Sequence, residues 1–264
     1  MRAHLIQMDL AWEDRTENHR RLSGLLERVS GLAGSGDLVA LPEMFDTGFS
    51  FNLARTADSD GKTLGFLCDC ARRYGITLHG SRSVVGADGR GRNRATIVGP
   101  DGSVLVEYDK IHPFSFGRES EFFSGGSSVV TYEWRSGRDS ILVCPAICYD
   151  LRFPELFRIG LQKGAEMFVL GASWPAPRKV HRRVLSIARA IENQAFMLSI
   201  NRSGRDPHLD YAGESLAVGP TGDVIAEGGT GEEILTVEID PGAVRAWREK
   251  FPAWRDLKLA MGGV

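Results

Sequence analysis

No stretch of this chain is apolar for the roughly twenty residues that a bilayer crossing needs, and no basic segment followed by a long apolar one opens it. Neither a membrane span nor an export signal is expected, and the cytoplasm is the expected location. A surplus of one charge is missing too. Acidic and basic residues are spread throughout and the formal net charge is −2, which leaves no extended face for a polyanion and excludes nucleic acid as a partner. With no Pro/Ser-rich linker and no block of like charge, the 264 residues read as a single domain over 1–264, with a C-terminal tail from about residue 251. Cysteine is scarce. Cys68, Cys70, Cys144 and Cys148 are too few to staple a chain of this size, and their spacings, without clustered histidine, match no standard zinc site. No metal and no cofactor is expected.

What is present is 42% hydrophobic residues, enough for a core, in an ordered alternation of strand-like and helix-like segments. Residues 4–8 read as a buried strand, and Asp14 with Glu17 resembles a capping box for the helix that follows. There Leu22, Leu25, Leu26, Val29 and Leu32 recur at helical spacing until Gly34-Ser-Gly36 breaks the pattern. Residues 37–41 return as a strand that delivers Pro42 and Glu43 at its carboxyl end, where open α/β sheets place their chemistry. A helix fits residues 63–74, with Leu64, Leu67, Cys68 and Ala71 inward and Gly75 at its end. Strand-like pieces at 76–80, 96–98 and 104–108, with turn signals at Asp88-Gly89 and Asp101-Gly102, predict antiparallel pairing. Lys110 then opens a long loop, residues 111–126, of a length that is usually functional or mobile in a compact domain.

The segment 141–158 is the most informative. An apolar run ends in Cys148, and Pro154 favours the first turn of a helix, so Cys148 sits where a strand gives way to a helix. Backbone N–H groups at such a junction stabilise developing negative charge and favour a thiolate. A free cysteine after an apolar strand is also commonly a small core residue. Tyr149, Asp150 and Arg152, polar groups directly after that strand, are costly unless paired or employed at a site. Beyond lie a helix at 154–163, a strand at 167–170 and a rigid loop at 172–178. A helix with the apolar stripe Val180, Val184, Ile187, Ala188 and Ile191 follows, then a strand at 195–200. Strands near Leu216, Val224 and Leu235 and a helix at 242–250 complete the order. The same sequence of β/α units and hairpins occurs in both halves, which two sheets with helices outside both would satisfy.

Leu41-Pro-Glu-Met-Phe-Asp-Thr-Gly-Phe-Ser50, Tyr108-Asp-Lys-Ile-His112 and Cys144-Pro-Ala-Ile-Cys-Tyr-Asp-Leu-Arg-Phe-Pro154 resemble, in order, the three signature segments of the nitrilase superfamily of carbon–nitrogen hydrolases. Ala172-Ser-Trp-Pro-Ala-Pro-Arg178 and Arg189-Ala-Ile-Glu-Asn-Gln194 are similar to segments of its ω-amidase branch. The resemblance implies a four-layer αββα sandwich, a homodimer formed through a helix layer, and a catalytic triad that falls on Glu43, Lys110 and Cys148. A second family glutamate falls on Glu119, but the glycine expected before it is Arg118, which puts the loop's backbone in question. The implied reaction cleaves the side-chain amide of short dicarboxylic acid monoamides, such as 2-oxoglutaramate, through a Cys148 thioester, with Tyr149 N–H and Lys110 on the oxyanion.

A substrate carboxylate requires cations or N–H donors, for which Arg152 and Arg178 are candidates; Arg152 could equally pair with Asp150 or Glu155. Phe45, Phe49, Phe114, Phe116 and Trp174 could shape a small pocket or simply pack. The same triad would also serve an N-carbamoyl amino acid or aliphatic amide hydrolase. A Cys–His enzyme using His112 or His181, and a catalytically silent binding or scaffold protein of the same fold, are the other readings.

Overall fold

The computed structural model describes residues 1–30 and 36–258; the expectations for Leu32, for the break at Gly34-Ser35 and for the tail beyond residue 258 lie outside them. The first half runs β1 (Arg2–Gln7), α1 (Arg15–Ser30), β2 (Leu38–Ala40), α2 (Leu53–Thr56), α3 (Lys62–Tyr74), β3 (Thr77–Val85), β4 (Gly91–Val98) and β5 (Val104–Asp109). A loop carrying the short helix α4 (Glu119–Phe122) leads to β6 (Tyr132–Ser136), β7 (Asp139–Ile147), α5 (Pro154–Gln162), β8 (Met167–Ala172), α6 (Lys179–Asn193) and β9 (Phe196–Asn201). The chain closes with the hairpin β10 (Ser203–Arg205) and β11 (Asp210–Ala212), then β12 (Leu216–Val218), β13 (Val224–Glu227), β14 (Glu233–Glu238) and α7 (Pro241–Lys250).

Two six-stranded sheets result, ordered β14-β1-β2-β3-β4-β5 and β13-β12-β9-β8-β7-β6. Each has three parallel strands at its centre, β1-β2-β3 in one and β7-β8-β9 in the other, flanked by antiparallel neighbours. Alternation along the strands sets the layers. Leu5, Leu38 and Ala40 join a core shared with β7, β8 and β9, whereas Ile6, Val39 and Leu41 face the opposite way onto Leu22, Leu25, Leu26 and Leu67 of α1 and α3. Leu156, Phe157 and Ala190 of α5 and α6 close the shared core from the far side. The architecture is therefore a sandwich of helix, sheet, sheet and helix.

Three local expectations are corrected. Asp14 Oδ1 accepts the Glu17 N–H (3.0 Å), but the Glu17 carboxylate turns to Arg20 and Arg21 (2.7 and 2.8 Å), so a half of the capping box forms. In α3 the buried thiol is Cys70, with Cys68 partly exposed, because the face that packs holds Thr63, Leu67, Cys70 and Ala71. The largest difference is α6. Its apolar stripe points outward, with Val180, Val184 and Ile191 at 64, 56 and 51% exposure, and its sheet side carries Arg182, Ser186, Arg189, Ala190 and Asn193. Those arginines are tolerated inside because carbonyls meet them: Arg182 donates to Ser199 Oγ (3.1 Å) and the Gly213 carbonyl (3.2 Å), and Arg189 donates twice to the Leu151 carbonyl (3.1 and 2.8 Å).

The sheets approach most closely for the site's purposes at Gly171 of β8. A Cβ there would lie 2.8 Å from the Leu41 carbonyl oxygen and 3.3 Å from the Glu43 nitrogen, so only glycine lets the second sheet touch the backbone leading to Glu43. Gly171→Ala is accordingly expected to destabilise the protein by about 1–3 kcal/mol through overpacking. Gly65→Ala, on α3 with open space around the added methyl group, is expected to stabilise it by about 0.5–1 kcal/mol. Urea midpoints of the two variants measure the contrast.

Candidate active site

Three backbone features aim the polar side chains of the site. Glu43 follows β2, and Met44 beside it takes φ 48°; Cys148 follows β7 at φ 42°; Arg118, before Glu119, takes φ 67°. Left-handed backbone at a non-glycine residue costs about 1–3 kcal/mol and persists where its surroundings fix it. At Cys148 it turns the side chain out of the strand line. At Arg118 the loop keeps the conformation natural to glycine, while the guanidinium forms a two-point pair with Glu121 (2.9 and 2.6 Å) in solvent. Glu119 is thereby delivered, fully buried, beside Lys110.

Lys110 is the hub. Its Nζ donates to Glu43 Oε1 (2.8 Å) and to Glu119 Oε2 (2.8 Å), and its backbone N–H donates to the Asn93 carbonyl (2.9 Å). Asn93 Nδ2 donates to Glu43 Oε1 (2.7 Å) and Glu119 Oε1 (3.3 Å). The second Glu43 oxygen accepts the Ser173 N–H (3.0 Å), while Ser173 Oγ donates to the Glu43 carbonyl (3.2 Å). Glu119 Oε2 also accepts the Phe114 N–H (2.6 Å). Glu43, Asn93, Ser173 and the segment from Lys110 to Glu119 come from four parts of the chain far apart in sequence.

The charges decide the protonation states. Burial by itself would lower the Lys110 pKa, but the Glu119 and Glu43 carboxylates outweigh it, so the ammonium form is held well above its ordinary range. Burial raises Glu119, with the Lys110 ammonium opposing and Glu43 adding to the rise. Burial also pushes the Cys148 thiol well above its ordinary value, helped by the Glu43 carboxylate and opposed by Lys110 and the Ser173 N–H. The helix-start N–H groups that favour a thiolate are present, but burial first and the adjacent Glu43 carboxylate second push the thiol the other way, so a base is required to take its proton.

Beneath the nucleophile lies a buried brace that sequence reasoning missed. Asp150 accepts from Tyr108 Oη (2.7 Å), the Ile147 N–H (3.0 Å), the His112 N–H (3.1 Å) and His112 Nδ1 (2.8 Å), which ties the end of β5 to the turn holding Cys148. His112, its ring stacked on Phe153 at 3.8 Å, belongs to that brace, and His181 is exposed on α6 next to Arg152. Neither faces the thiol as a base. Asn93 and Ser173 were missed as well. Ser173 lies in the loop 172–178 singled out from sequence, whereas Asn93, one polar residue among others in a strand and flanked by Arg92 and Arg94, gives no local signal.

A small cleft over Cys148 is walled by Phe114, Tyr149, Arg152, Trp174 and Arg178. Arg152 does not pair with Asp150 or Glu155; its guanidinium lies 4.8 Å from the centroid of the Trp174 ring and donates to His181 Nδ1 (3.3 Å). Arg178 lies over Phe114 at 5.6 Å. Neither guanidinium has a carboxylate partner among the described residues. Tyr149, second in the turn 148–152, presents one of the N–H groups that lack an acceptor within their own helix. Two expected pocket residues lie elsewhere. Phe45 is buried in the core between helices and sheet, against His19 and Gly80, and Phe116 is 82% exposed at a loop tip. Aromatic content alone did not reveal which rings face the thiol; Phe114 does, and Phe49 packs 5.3 Å from Lys110 Nζ.

Two sheets stacked face to face within helices, with a thiol, an ammonium and two carboxylates converging from separate loops, define the architecture and polar centre of an enzyme that hydrolyses bonds between carbon and nitrogen. The chain belongs to the carbon-nitrogen hydrolase family, whose model matches residues 2–249. It is 35% identical over 255 residues to a 2-oxoglutaramate amidase of Bacillus subtilis, covering 96% of each chain. It is also 35% identical over 254 residues to an omega-amidase of Escherichia coli, covering 96% of this chain and 94% of that one. A superfamily protein from Xanthomonas campestris, with an arsenic adduct in its active site, matches at TM-score 0.91 and 33% identity over 100% of this chain and 99% of that chain. No described helix is long and apolar enough to cross a membrane.

The sign of the thiol shift yields a test. Because burial and then Glu43 raise Cys148, the wild-type thiol should be alkylated by iodoacetamide slowly near neutral pH, and its rate should rise only at pH above the range in which an ordinary thiol ionises. Glu43→Gln removes that charge and leaves Lys110, so its alkylation should set in at lower pH although amide turnover is lost. Intact-mass time courses across pH measure both, and a Glu43→Gln profile displaced to higher pH would contradict the electrostatics.

Proposed function

We propose that the protein hydrolyses the ω-amide of short dicarboxylic acid monoamides, 2-oxoglutaramate among them, with Cys148 as nucleophile, Glu43 as proton carrier and Lys110 as electrostatic stabiliser. One observation carries this reading: a buried thiol faces a carboxylate that is fixed by an ammonium, while two guanidiniums without carboxylate partners among the described residues stand over the same cleft. The names borne by the relatives from Bacillus subtilis and Escherichia coli support the substrate class.

The steps follow from the groups. Glu43 takes the Cys148 proton as the sulfur attacks the amide carbon, which avoids a standing thiolate in a dry, negatively charged site. The carbonyl oxygen gains the charge and is met by Lys110 and the Tyr149 N–H. Glu43 returns the proton to the amide nitrogen, ammonia departs, and a thioester to Cys148 remains. Water, deprotonated by Glu43, attacks the thioester; the acid leaves and the sulfur regains its proton. Glu119 holds Lys110 in place. Arg152 and Arg178 bind the substrate's distal carboxylate, with Trp174 orienting Arg152. The unpaired cations favour an anionic amide over the neutral aliphatic one, and a scaffold protein would have no use for a base beside a thiol. A free nucleophilic thiol supports a location in the reducing cytoplasm.

The outward stripe of α6 supports a homodimer. Val180, Val184 and Ile191, with Phe251 further along the same side at 54% exposure, form an apolar face that isolated monomers rarely present.

Ammonia release from 2-oxoglutaramate tests the activity, with Cys148→Ala abolishing it and an acyl adduct appearing on Cys148 by intact mass; a wild type inert to the whole range of ω-amides overturns the reading. Arg152→Ala and Arg178→Ala should each raise KM for the anionic amide roughly 10- to 100-fold, as expected for losing a charge-assisted hydrogen bond, and leave neutral amides little changed. For assembly, Val184→Glu should convert a dimer to a monomer in sedimentation velocity, and an unchanged sedimentation coefficient would refute the α6 interface.

A further inference from the structure

Among the described residues Asn93 is the one uncharged side chain that hydrogen-bonds both buried glutamates, and the pattern of its bonds is unusual for a packing residue. Its single Nδ2 serves Glu43 Oε1 (2.7 Å) and Glu119 Oε1 (3.3 Å), while Lys110 Nζ serves Glu43 Oε1 and Glu119 Oε2 (2.8 Å each). A closed ring results: ammonium, carboxylate, amide, carboxylate, and back to the ammonium. The ring is anchored a second time through the main chain, since the Lys110 N–H donates to the Asn93 carbonyl (2.9 Å). Asn93 itself is buried, and its Oδ1 has no protein partner among the described residues. An amide held for packing alone would gain nothing from leaving an acceptor orphaned in order to aim both N–H groups at carboxylates.

We infer that Asn93 is a positioning residue for the hydrolysis, clamping Glu43 and Glu119 about Lys110 so that Glu43 keeps one orientation toward Cys148. The chemistry explains why a neutral donor occupies the position. Two carboxylates on one ammonium repel each other, and a second cation would relieve the repulsion at the expense of Glu43's basicity. An amide supplies N–H donors without adding charge. It fixes Glu43 Oε1 while the Ser173 N–H fixes the other oxygen, so the carboxylate cannot rotate away from the thiol.

This inference rests on the hydrolytic reading above, and the two fail differently. If the wild type turns over no amide, the hydrolytic reading falls; if it does, the Asn93 variants decide the clamp. Asn93→Ala should lower kcat/KM about 100-fold, mostly in kcat, the scale expected when a reacting group is left about an ångström out of place. Hydrogen bonds from Asn93 stabilise the ionised carboxylates, so their loss should also move the acid limb of the kcat/KM profile to higher pH. Asn93→Asp keeps the shape, removes both N–H groups and adds a third carboxylate. It should lose at least as much activity and shift the acid limb further in the same direction. A purely structural role predicts that the folded Asn93→Ala protein keeps the acid limb where the wild type has it, the added charge of the Asp variant moving the limb under either role. Activity within about 3-fold of wild type in a folded Asn93→Ala protein, or an unshifted acid limb, overturns the clamp. Circular dichroism and thermal melting establish folding, and if Asn93→Ala fails to fold, activity within about 3-fold of wild type in Asn93→Asp overturns the clamp.

Discussion

The structure turns on one buried ammonium between two carboxylates. Lys110 and Glu119 are removed from water, Glu43 with them, and a lone charge of any of the three would be untenable there. Removing one partner of such a buried pair typically costs about 3–5 kcal/mol, because the charge left behind stays desolvated. The excess of one negative charge over the trio has a chemical result. It adds to burial in pushing the nearby thiol up and makes Glu43 the natural destination of that proton when a carbonyl arrives. Electrostatic economy and reactivity are the same arrangement seen twice.

Everything around this trio controls distance. Gly171 lets the second sheet press on the backbone that carries Glu43, and Ser173, two residues on, donates to the Glu43 carboxylate. Asp150 braces the nucleophile's turn against the strand that ends at Lys110. The parallel cores of both sheets thus end at a common seam, and the site is a property of how the sheets face each other. Neither half of the chain could form it alone.

The layer order was legible in the sequence because alternation and turn signals are local: Leu5 and Ile6, neighbours on one strand, sort to opposite cores as their spacing requires. Glu43, Lys110, Glu119 and Cys148 were legible through the motifs that carry them. What escaped notice depended on long-range partners. The stripe of α6 reads as a core face, yet carbonyls from Leu151 and Gly213 draw the arginines inward and turn the valines out. Asn93 lies mid-strand between two arginines, and its meaning comes from side chains 50 and 26 positions away. Phe45 and Phe114 are indistinguishable by composition; the close approach of Gly80 admits the first to the core.

The strand that closes one edge of the first sheet lies more than two hundred residues beyond its partner. β14 pairs along the whole of β1, from Arg2 opposite Glu238 to Gln7 opposite Glu233, and the amino terminus donates to the Ile239 carbonyl. During synthesis, then, the opening strand waits exposed on one edge while more than two hundred residues follow it off the ribosome. Loop closure over that span is slow compared with local pairing. Cys148 emerges after Glu43, Lys110 and Glu119 but before Ser173 and β14, so a nascent molecule passes through a stage in which the sulfur and its charged neighbours exist while the strands that bury them do not.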